Sequence, residues 1–360
     1  MVEYKRILVI KMSALGDIIH ALPSLAALRE LFPAAKISWL VEPQFASILP
    51  GRPYVDELIV FYKNDLKKKS LPKKISYLAE LRRELHSRRF DLTLDLQGLM
   101  KSSLIALLSG CRRRLGYCEM REGSFLVSRP VYGPNRDGHV IERYRDVIRS
   151  LGPISEEVAF PLPDFSEPRR EMEELVSSLG LRPPLALLFP GAGWASKLWP
   201  AEKYAELARK LSAMGVSAAI GGSRAEGGLA KAIQDQAPEL KMPDLTGKTD
   251  ILGLMGLVSL AAVCVGADTG PLHIAAAAGA PTVSLFGPSS GQRAGTFGPL
   301  SRYVASSASC SPCFKRNCPK TFVCMDAIDT DEVFAACREV LERAKSSQIG
   351  SNRFSEATES

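Results

Sequence analysis

The stretch Gly266-Ala-Asp-Thr-Gly-Pro-Leu-His273, followed by Ile274-Ala-Ala-Ala-Ala-Gly279, decides the fold. The apolar run Ala261–Val265 before it predicts a buried strand, and Pro271 suits the first turn of a short helix. A second apolar strand, Pro281–Phe286, follows. Unpaired backbone N–H groups and the helix dipole at such a helix start favour an anion. The pattern also fits an ordinary βαβ turn, so a phosphate site and a plain turn both stay open.

The alternation of strand and helix extends outward from this stretch in both directions. Tyr4–Val9 and Lys36–Val41 predict strands around a helix near the N-terminus, and the pattern restarts at Leu185–Phe189. A Pro-rich segment, residues 152–184, separates the two series. We therefore predict two Rossmann-like α/β domains with parallel sheets, residues 1–165 and 166–345, facing a central cleft. A disordered polar tail is predicted for residues 346–360.

Composition limits the classes of protein that fit. The chain has 360 residues, of which 46% are hydrophobic and 24% charged, as in a globular protein. No apolar run approaches the roughly 20 residues of a membrane span, and the N-terminus lacks a signal-peptide core, which predicts a cytoplasmic protein.

Part of the positive charge is concentrated in one segment of the chain. The net charge is +7, and residues 63–74 contain six lysines. These lysines form either a solvated face or a surface that attracts an anionic partner such as phospholipid or a phosphorylated glycolipid. Nucleic acid is disfavoured because the chain shows no nucleic-acid-binding motif.

Several polar residues follow predicted strands, where open parallel sheets bind ligands. Asp17 starts a helix and suits either a general base or a helix cap. Lys197 follows a glycine-containing loop and suits a phosphate, unless it is simply exposed. Glu226 suits a ribose hydroxyl, unless it is a surface residue, and His273 suits the same ligand, unless it is a partly buried structural histidine. Ser196 and Thr269 offer hydroxyls, and Asp268 lies in the same polar turn as Thr269.

Neither of two common motifs for nucleotides and their metal ions is available to a ligand in this sequence. The Lys11–Asp17 turn lacks the full G-x-G-x-x-G pattern, so a dinucleotide cofactor is not indicated. The Asp-x-Asp triplet Asp329-Thr-Asp331 is placed to cap the final helix rather than to hold a metal ion. A diphosphate would therefore need protein cations and a helix dipole.

Four cysteines are clustered as Cys310-x2-Cys313-x4-Cys318-x5-Cys324. Their spacing suits a zinc site, whereas a reduced structural cluster or an occasional disulfide is the alternative.

Four segments in this order resemble glycosyltransferase family 9, the ADP-heptose:lipopolysaccharide heptosyltransferases. They are Lys11–Asp17, Asp95–Lys101, Lys197–Pro200 and Asp268–His273. The resemblance covers about residues 5–345. It implies a GT-B fold and metal-independent, inverting transfer of heptose from ADP-heptose to the Kdo or inner-core region of lipopolysaccharide, with no required cofactor. Asp95–Lys101 looks nearest to the enzymes that add the first heptose.

The same resemblance assigns roles. Asp17 is the expected general base, and Lys11 is expected beside the reacting centre. The expected donor-binding residues are Lys197, Ser196, Glu226, Asp268, Thr269, Gly270 and His273. Gln97 and Lys101, which lie in one of the resembling segments, are expected to meet the acceptor. On the ground of charge, and not of a motif match, the basic segment with Lys67, Lys68 and Lys69 is expected to meet anionic Kdo or lipid A phosphates at the inner face of the cytoplasmic membrane.

Two loops depart from the family pattern. Gly287–Gly291 carries Ser289 where relatives more often have Thr, and Gly191–Trp194 lacks paired threonines. Transfer from another nucleotide sugar or to another acceptor is therefore the first alternative. A non-catalytic nucleotide-binding module is the second, although the Asp17 carboxylate argues against it.

Overall fold

A computed structural model describes residues 2–68, 70–319 and 323–356. The chain divides into two units between Asp164 and Phe165. The sequence places this boundary one residue later, after residue 165. Each unit is an α/β body with its own sheet.

The first unit contains six strands and five α-helices among its described residues. They are β1 (Arg6–Ile10), α1 (Leu15–Leu31), β2 (Lys36–Val41), β3 (Glu57–Val60), α2 (Lys63–Lys68), α3 (Leu71–Ser87), β4 (Leu92–Asp95), α4 (Met100–Leu108), β5 (Arg114–Gly116), β6 (Arg129–Pro130) and α5 (Val140–Arg149). The strands are parallel and lie in the order β3-β2-β1-β4-β5-β6.

The second unit begins with α6 and ends with a long helix. Its elements are α6 (Ser166–Ser178), β7 (Leu185–Phe189), α7 (Ala201–Ala213), β8 (Ser217–Ile220), α8 (Gly227–Gln236), α9 (Ile251–Ser259), β9 (Val263–Ala267), α10 (Gly270–Ala277), β10 (Thr282–Phe286), α11 (Gly291–Ala294), β11 (Ser301–Ala305), α12 (Val323–Asp326) and α13 (Thr330–Glu356). Its parallel strands lie in the order β11-β10-β9-β7-β8.

Apolar side chains pack between each sheet and its helices. In the first unit, one cluster joins Leu8 and Ile10 of β1 to Leu81 of α3 and Ile105 of α4. In the second, β7, β9 and β10 pack against helices that include α7 and α13. Burial of these side chains supplies the main driving force for forming both layers.

Some predicted elements differ from the observed ones. The predicted strand at Met242–Leu245 is reduced to a bridge between Asp244 and Ile220. Residues 63–68, predicted as a charged patch, form α2. Helix α13 continues to Glu356 through most of the predicted disordered tail, because extending a helix needs no new nucleus. Residues 357–360 of that tail lie outside the described residues.

Within residues 2–68, 70–319 and 323–356, no helix is long and apolar enough to cross a membrane.

Candidate active site

Each sheet has one position where the chain reverses its direction of strand addition. In the first unit this position lies between β1 and β4, and in the second between β7 and β9. The loops that leave the carboxyl ends of these strands diverge and leave room for a ligand. In the first unit, the segments Lys11–Asp17 and Asp95–Lys101 meet there. In the second unit, the segments Lys197–Pro200 and Asp268–His273 do.

In the first unit, Gln97 holds the loop that leads to Asp17. Its side-chain oxygen accepts hydrogen bonds from the backbone N–H groups of Met12 and Ser13, at 3.0 and 3.1 Å. Gln97 is itself buried. Its amide oxygen is thus committed to the protein, and the predicted contact with an acceptor stays a prediction that this geometry does not favour.

Lys11 is also used inside the protein. Its side chain is 2% exposed, and its ammonium donates to the Leu96 carbonyl at 3.0 Å and to the Tyr144 hydroxyl at 2.7 Å. The ammonium also lies 4.8 Å from the centre of the Tyr144 ring, a cation–π distance. Lys11 therefore ties the loop after β1 to the loop after β4 and to α5. A buried ammonium in this position does not support the predicted role at the reacting centre.

Asp17 lies in the first turn of α1 and is partly exposed. One carboxylate oxygen accepts a hydrogen bond from the backbone N–H of Ala14, at 3.3 Å. This is a helix-capping contact, as expected for an acid at this position. The other carboxylate oxygen has no hydrogen bond among the described contacts, so capping and proton acceptance are compatible.

Two lysines lie side by side near the start of α4. Lys101 is half-buried, and burial together with the charge of Lys63 lowers the pKa of its ammonium. Lys63 pairs with Glu42 at 3.3 Å, which balances one of the two charges. The carboxylates of Glu42 and Glu122 act on the pKa of Lys101 in the opposite direction. Of the other predicted acceptor lysines, Lys67 and Lys68 end α2, and Lys69 lies outside the described residues.

The first prediction concerns the loop before α1. Replacing Gln97 with Leu removes the acceptor of two backbone N–H groups, and we expect the free energy of unfolding to fall by about 2 kcal/mol. Urea unfolding followed by circular dichroism measures this change. Gln97→Glu, which keeps acceptor oxygens, is the matched control and should cost less. Equal losses in both variants would contradict the role assigned to the oxygen.

In the second unit, Asp268 is the centre of the cluster. One carboxylate oxygen contacts Lys197 at 2.6 Å and the Ser289 hydroxyl at 2.9 Å, and the other contacts the His273 ring at 3.2 Å. The side chains of Lys197 and Asp268 are only 12% and 13% exposed. The Lys197 ammonium also lies 4.6 Å from the centre of the Trp194 ring. Asp268 and the Trp194 ring therefore both hold the Lys197 ammonium in place.

The ionisation of Asp268 follows from these neighbours. Burial alone would raise the pKa of the carboxyl group, but the hydrogen bond from His273 and the charge of Lys197 outweigh burial and hold the pKa well below its usual range. Asp268 therefore remains a carboxylate. Its charge orients Lys197 and His273.

Helix α10 begins directly after Asp268. Thr269 is its N-cap and Gly270 its first residue, and within the described contacts the Thr269 side chain makes no capping hydrogen bond. First-turn N–H groups of a helix have no partner inside the helix and carry the positive end of the dipole. Lys197 lies beside this helix start, as its contact with Asp268 shows. A cation and a helix N-terminus thus occupy one place, which suits a phosphate.

Two other residues predicted to bind the sugar donor form hydrogen bonds within the protein. The Ser196 hydroxyl is buried and donates to the Lys315 carbonyl at 2.8 Å, so it stabilises a neighbouring loop. Glu226 accepts from the backbone N–H of Ser223 at 2.6 Å. A Cβ atom on Gly191 would lie 1.9 Å from the Glu226 carboxylate, so that carboxylate rests on the loop after β7. Glu226 therefore lies at the carboxyl edge of the sheet, as predicted.

The cysteine cluster was the predicted metal site. All four thiols are free, and the negative charge of the other three contributes, after burial, to raising the pKa of Cys324. Over residues 2–68, 70–319 and 323–356, no three His, Cys, Asp or Glu side chains are arranged to hold a metal ion. These positions do not fit zinc, so the zinc site stays a prediction without structural support.

Some residues of these clusters were not predicted as site residues. Ser289 follows β10 and binds Asp268, and Trp194 borders Lys197. Tyr144 binds Lys11 from a helix that lies 133 residues further along the chain. The position of Ser289 after a parallel strand was the one signal in the sequence that pointed to the sheet edge.

Comparison with known proteins agrees with this arrangement. The sequence profile of glycosyltransferase family 9 (heptosyltransferase) matches residues 78–323. Lipopolysaccharide heptosyltransferase 1 of Pseudomonas aeruginosa is 29% identical over 322 residues, which cover 87% of each chain.

Two solved structures share the fold. A family 9 glycosyltransferase from Veillonella parvula aligns with a TM-score of 0.80 and 23% identity, over 95% of this chain and 98% of its own. An Escherichia coli heptosyltransferase solved with ADP aligns with a TM-score of 0.72 and 22% identity, over 93% and 99%. The predicted GT-B fold is confirmed. Because the family profile matches more than half of its residues, the chain belongs to glycosyltransferase family 9 and is a glycosyltransferase.

Proposed function

We propose that this enzyme transfers L-glycero-D-manno-heptose from ADP-heptose to the Kdo or inner-core region of lipopolysaccharide, with inversion at the anomeric carbon and without a catalytic metal ion. The observation that carries the proposal is the Asp268 cluster, which fixes the Lys197 ammonium beside the start of α10. The lipopolysaccharide heptosyltransferase 1 relative supports the choice of sugar and acceptor.

In the proposed reaction, the Asp17 carboxylate removes the proton of an acceptor hydroxyl. The acceptor oxygen forms a bond to the anomeric carbon of heptose while the bond from that carbon to the diphosphate oxygen breaks. ADP leaves with the electron pair of the broken bond, and the proton stays on Asp17 until solvent takes it. Attack on the face opposite the leaving group inverts the anomeric centre.

The leaving diphosphate gains negative charge as its bond breaks. The Lys197 ammonium and the first-turn N–H groups of α10 would stabilise that charge, because both are already oriented before the reaction. Asp268 acts through Lys197 and His273, which it contacts directly. Glu226 is proposed to accept a hydrogen bond from the adenosine ribose, since it lies at the edge of the same sheet.

The acceptor is proposed to carry anionic groups that meet the first unit. Lys101 and Lys63 lie together, near the carboxylates of Glu42 and Glu122. A carboxylate of Kdo or a phosphate of lipid A would favour the charged form of Lys101, which burial and Lys63 disfavour. The acceptor proposed here is therefore an anionic glycolipid at the inner face of the cytoplasmic membrane.

The second prediction tests this function directly. Purified protein mixed with ADP-heptose and Kdo-lipid A should form a heptosylated lipid and ADP, and millimolar EDTA should leave the rate unchanged because protein groups replace the metal ion. Mass spectrometry of the lipid and coupled detection of ADP measure both. Loss of activity with EDTA, restored by Mg²⁺, would contradict metal independence.

The first alternative is a transferase of the same family that uses another nucleotide sugar or another acceptor. The loops Gly191–Trp194 and Gly287–Gly291 border the Asp268 cluster and depart from the family pattern, which favours a test of other donors. ADP release from ADP-glucose or UDP-sugars at a rate above that with ADP-heptose would favour that alternative. Membership of a family of transferases argues against the non-catalytic module.

A further inference from the structure

The first unit has a helical layer whose outer side has not been assigned a role. Leu81 and Leu85 of α3 and Ile105 and Ala106 of α4 belong to one buried cluster with β1, β2 and β3. Both helices therefore pack on the same face of the sheet. Each helix also has a surface that does not contact the sheet.

Helix α3 carries apolar side chains on this outer side. Leu71, Ile75 and Leu78 are spaced by four and three residues, so they form one stripe along the helix. Leu71 and Ile75 are 71% and 61% exposed. Leu81 and Leu85, which adjoin this stripe in the C-terminal half of the helix, are buried against the sheet, so the apolar face of α3 is buried toward its C-terminus and exposed toward its N-terminus. The exposed stripe is therefore not needed for packing within the unit.

Exposed apolar side chains also lie on the elements that contact α3 and α4. Leu104 and Leu107 are exposed on α4, and the 3-10 helix Ser124–Leu126, which contacts α4, exposes Phe125 and Leu126. We name the outer apolar residues together the α3–α4 surface: Leu71, Ile75, Leu78, Leu104, Leu107, Phe125 and Leu126. They are seven of the fifteen large apolar side chains exposed in the described part of the chain. Such clustering, unlike single exposed apolar residues, marks an interaction surface.

The charges around the α3–α4 surface are mostly positive. At about 100° per residue, Arg82 lies roughly 20° and Lys74 roughly 60° from Leu71 around α3. Glu80 lies roughly on the opposite side of the helix. Glu84, further round on that side, is paired with Arg88 at 3.1 Å. Arg82 thus lies in line with the apolar stripe, and the half-buried Lys74 lies at its edge on the side of Leu81 and Leu85, whereas the acidic residues lie away from it.

We propose that the α3–α4 surface docks on a bilayer of anionic phospholipid. The apolar side chains enter the interfacial layer, and Lys74 and Arg82 contact the headgroup phosphates, as on interfacial amphipathic helices. A second copy of the chain is a poorer occupant, because it would bring the same basic residues of two copies together. The inference rests on the proposed function in one respect: a lipid-linked acceptor requires the enzyme at a membrane.

Vesicle flotation tests the proposal. Full-length protein should float with vesicles of phosphatidylcholine and phosphatidylglycerol, but much less with pure phosphatidylcholine. Leu71→Ser/Ile75→Ser/Leu126→Ser should weaken partitioning by at least about tenfold. The matched control, Val2→Ser/Met214→Ser, changes exposed apolar residues elsewhere and should bind as the parent does. Circular dichroism and thermal unfolding confirm that each variant is folded.

A second pair of variants tests the contribution of charge to vesicle binding. Lys74→Gln/Arg82→Gln should weaken binding to the anionic vesicles, whereas Lys231→Gln/Lys241→Gln, which removes two exposed lysines of the second unit, should not. Equal binding to both vesicle types, or equal loss in the control variants, would overturn the proposal. So would a parent dimer, seen by sedimentation, that the triple Ser variant dissociates without any vesicle binding.

Failure of this proposal and failure of the proposed function give different results. Transfer to a detergent-dispersed acceptor without vesicle binding would reject the α3–α4 surface and retain the function. Vesicle binding without any transfer would retain the α3–α4 surface and reject the function. If both are correct, the triple Ser variant should keep its rate on dispersed acceptor and lose rate on acceptor embedded in vesicles.

Discussion

Asp17→Asn should lower kcat by a factor of about 10²–10⁴, because the variant cannot take the proton of the acceptor hydroxyl. Asn is nearly the same size as Asp and keeps an oxygen that can accept the hydrogen bond from the Ala14 N–H, now at 3.3 Å. The start of α1 should therefore stay in place. Single-turnover rates with ADP-heptose and Kdo-lipid A measure the loss.

Two controls separate chemistry from folding at this position. The affinity of the Asp17→Asn variant for ADP, measured by calorimetry, should match that of the parent, since the proposed ADP contacts come from Lys197 and α10. Asp17→Ser also accepts a capping hydrogen bond but lacks a carboxylate, and it should be equally slow. An Asn variant with normal turnover would remove Asp17 as the base.

The positions of the functional loops were predictable from the sequence. Apolar strands followed by polar residues identify the carboxyl edge of a parallel sheet, and that rule alone placed Asp17, Lys197 and Asp268 at sheet edges. Local composition is sufficient because strand, turn and helix start are all set by neighbouring residues. The structure confirms the fold that these patterns predicted.

The partners of individual side chains were not predictable in the same way. The sequence predicts an acceptor contact for Gln97 and a place beside the reacting centre for Lys11, and both stay predictions. It does not show that Gln97 binds the backbone of Met12 and Ser13, or that Lys11 binds Leu96 and Tyr144. Most of these contacts join residues about 85 positions apart, and register between β1 and β4 decides them. Sequence spacing carries no information about such register.

The exposed stripe of α3 illustrates a second limit. Leu71, Ile75 and Leu78 have the periodicity of a core-facing helix, and so do Tyr77, Leu81 and Leu85. The two sets adjoin around the helix, and only packing shows that Leu81 and Leu85 are buried against the sheet whereas Leu71 and Ile75, nearer the start of the helix, are exposed. A periodic apolar pattern predicts a helix, but it does not show along how much of the helix the apolar face is covered.

Lys197→Met should damage both donor binding and stability. The change leaves the Asp268 carboxylate buried with only His273 and Ser289 beside it. Breaking a buried pair costs about 3–5 kcal/mol, and we expect about 3 kcal/mol here because two partners remain. ADP affinity should fall by at least about tenfold, since a cation beside the diphosphate is lost. Urea unfolding at pH 7 and calorimetry with ADP measure the two effects.

Adding Asp268→Asn to Lys197→Met tests whether the pair is the cause. The double variant should recover much of the lost stability, because no uncompensated carboxylate remains, but it should not recover ADP affinity.

The dependence of stability on pH gives an independent check. The folded pKa of Asp268 lies below its unfolded value of about 3.9, so its contribution to stability is complete above that pH and declines as pH falls toward the folded pKa. The stability advantage of the parent over Asp268→Asn should therefore be constant from about pH 5 to 7 and shrink below about pH 4. An advantage that grows in acid would show that Asp268 is not held as a carboxylate by Lys197 and His273.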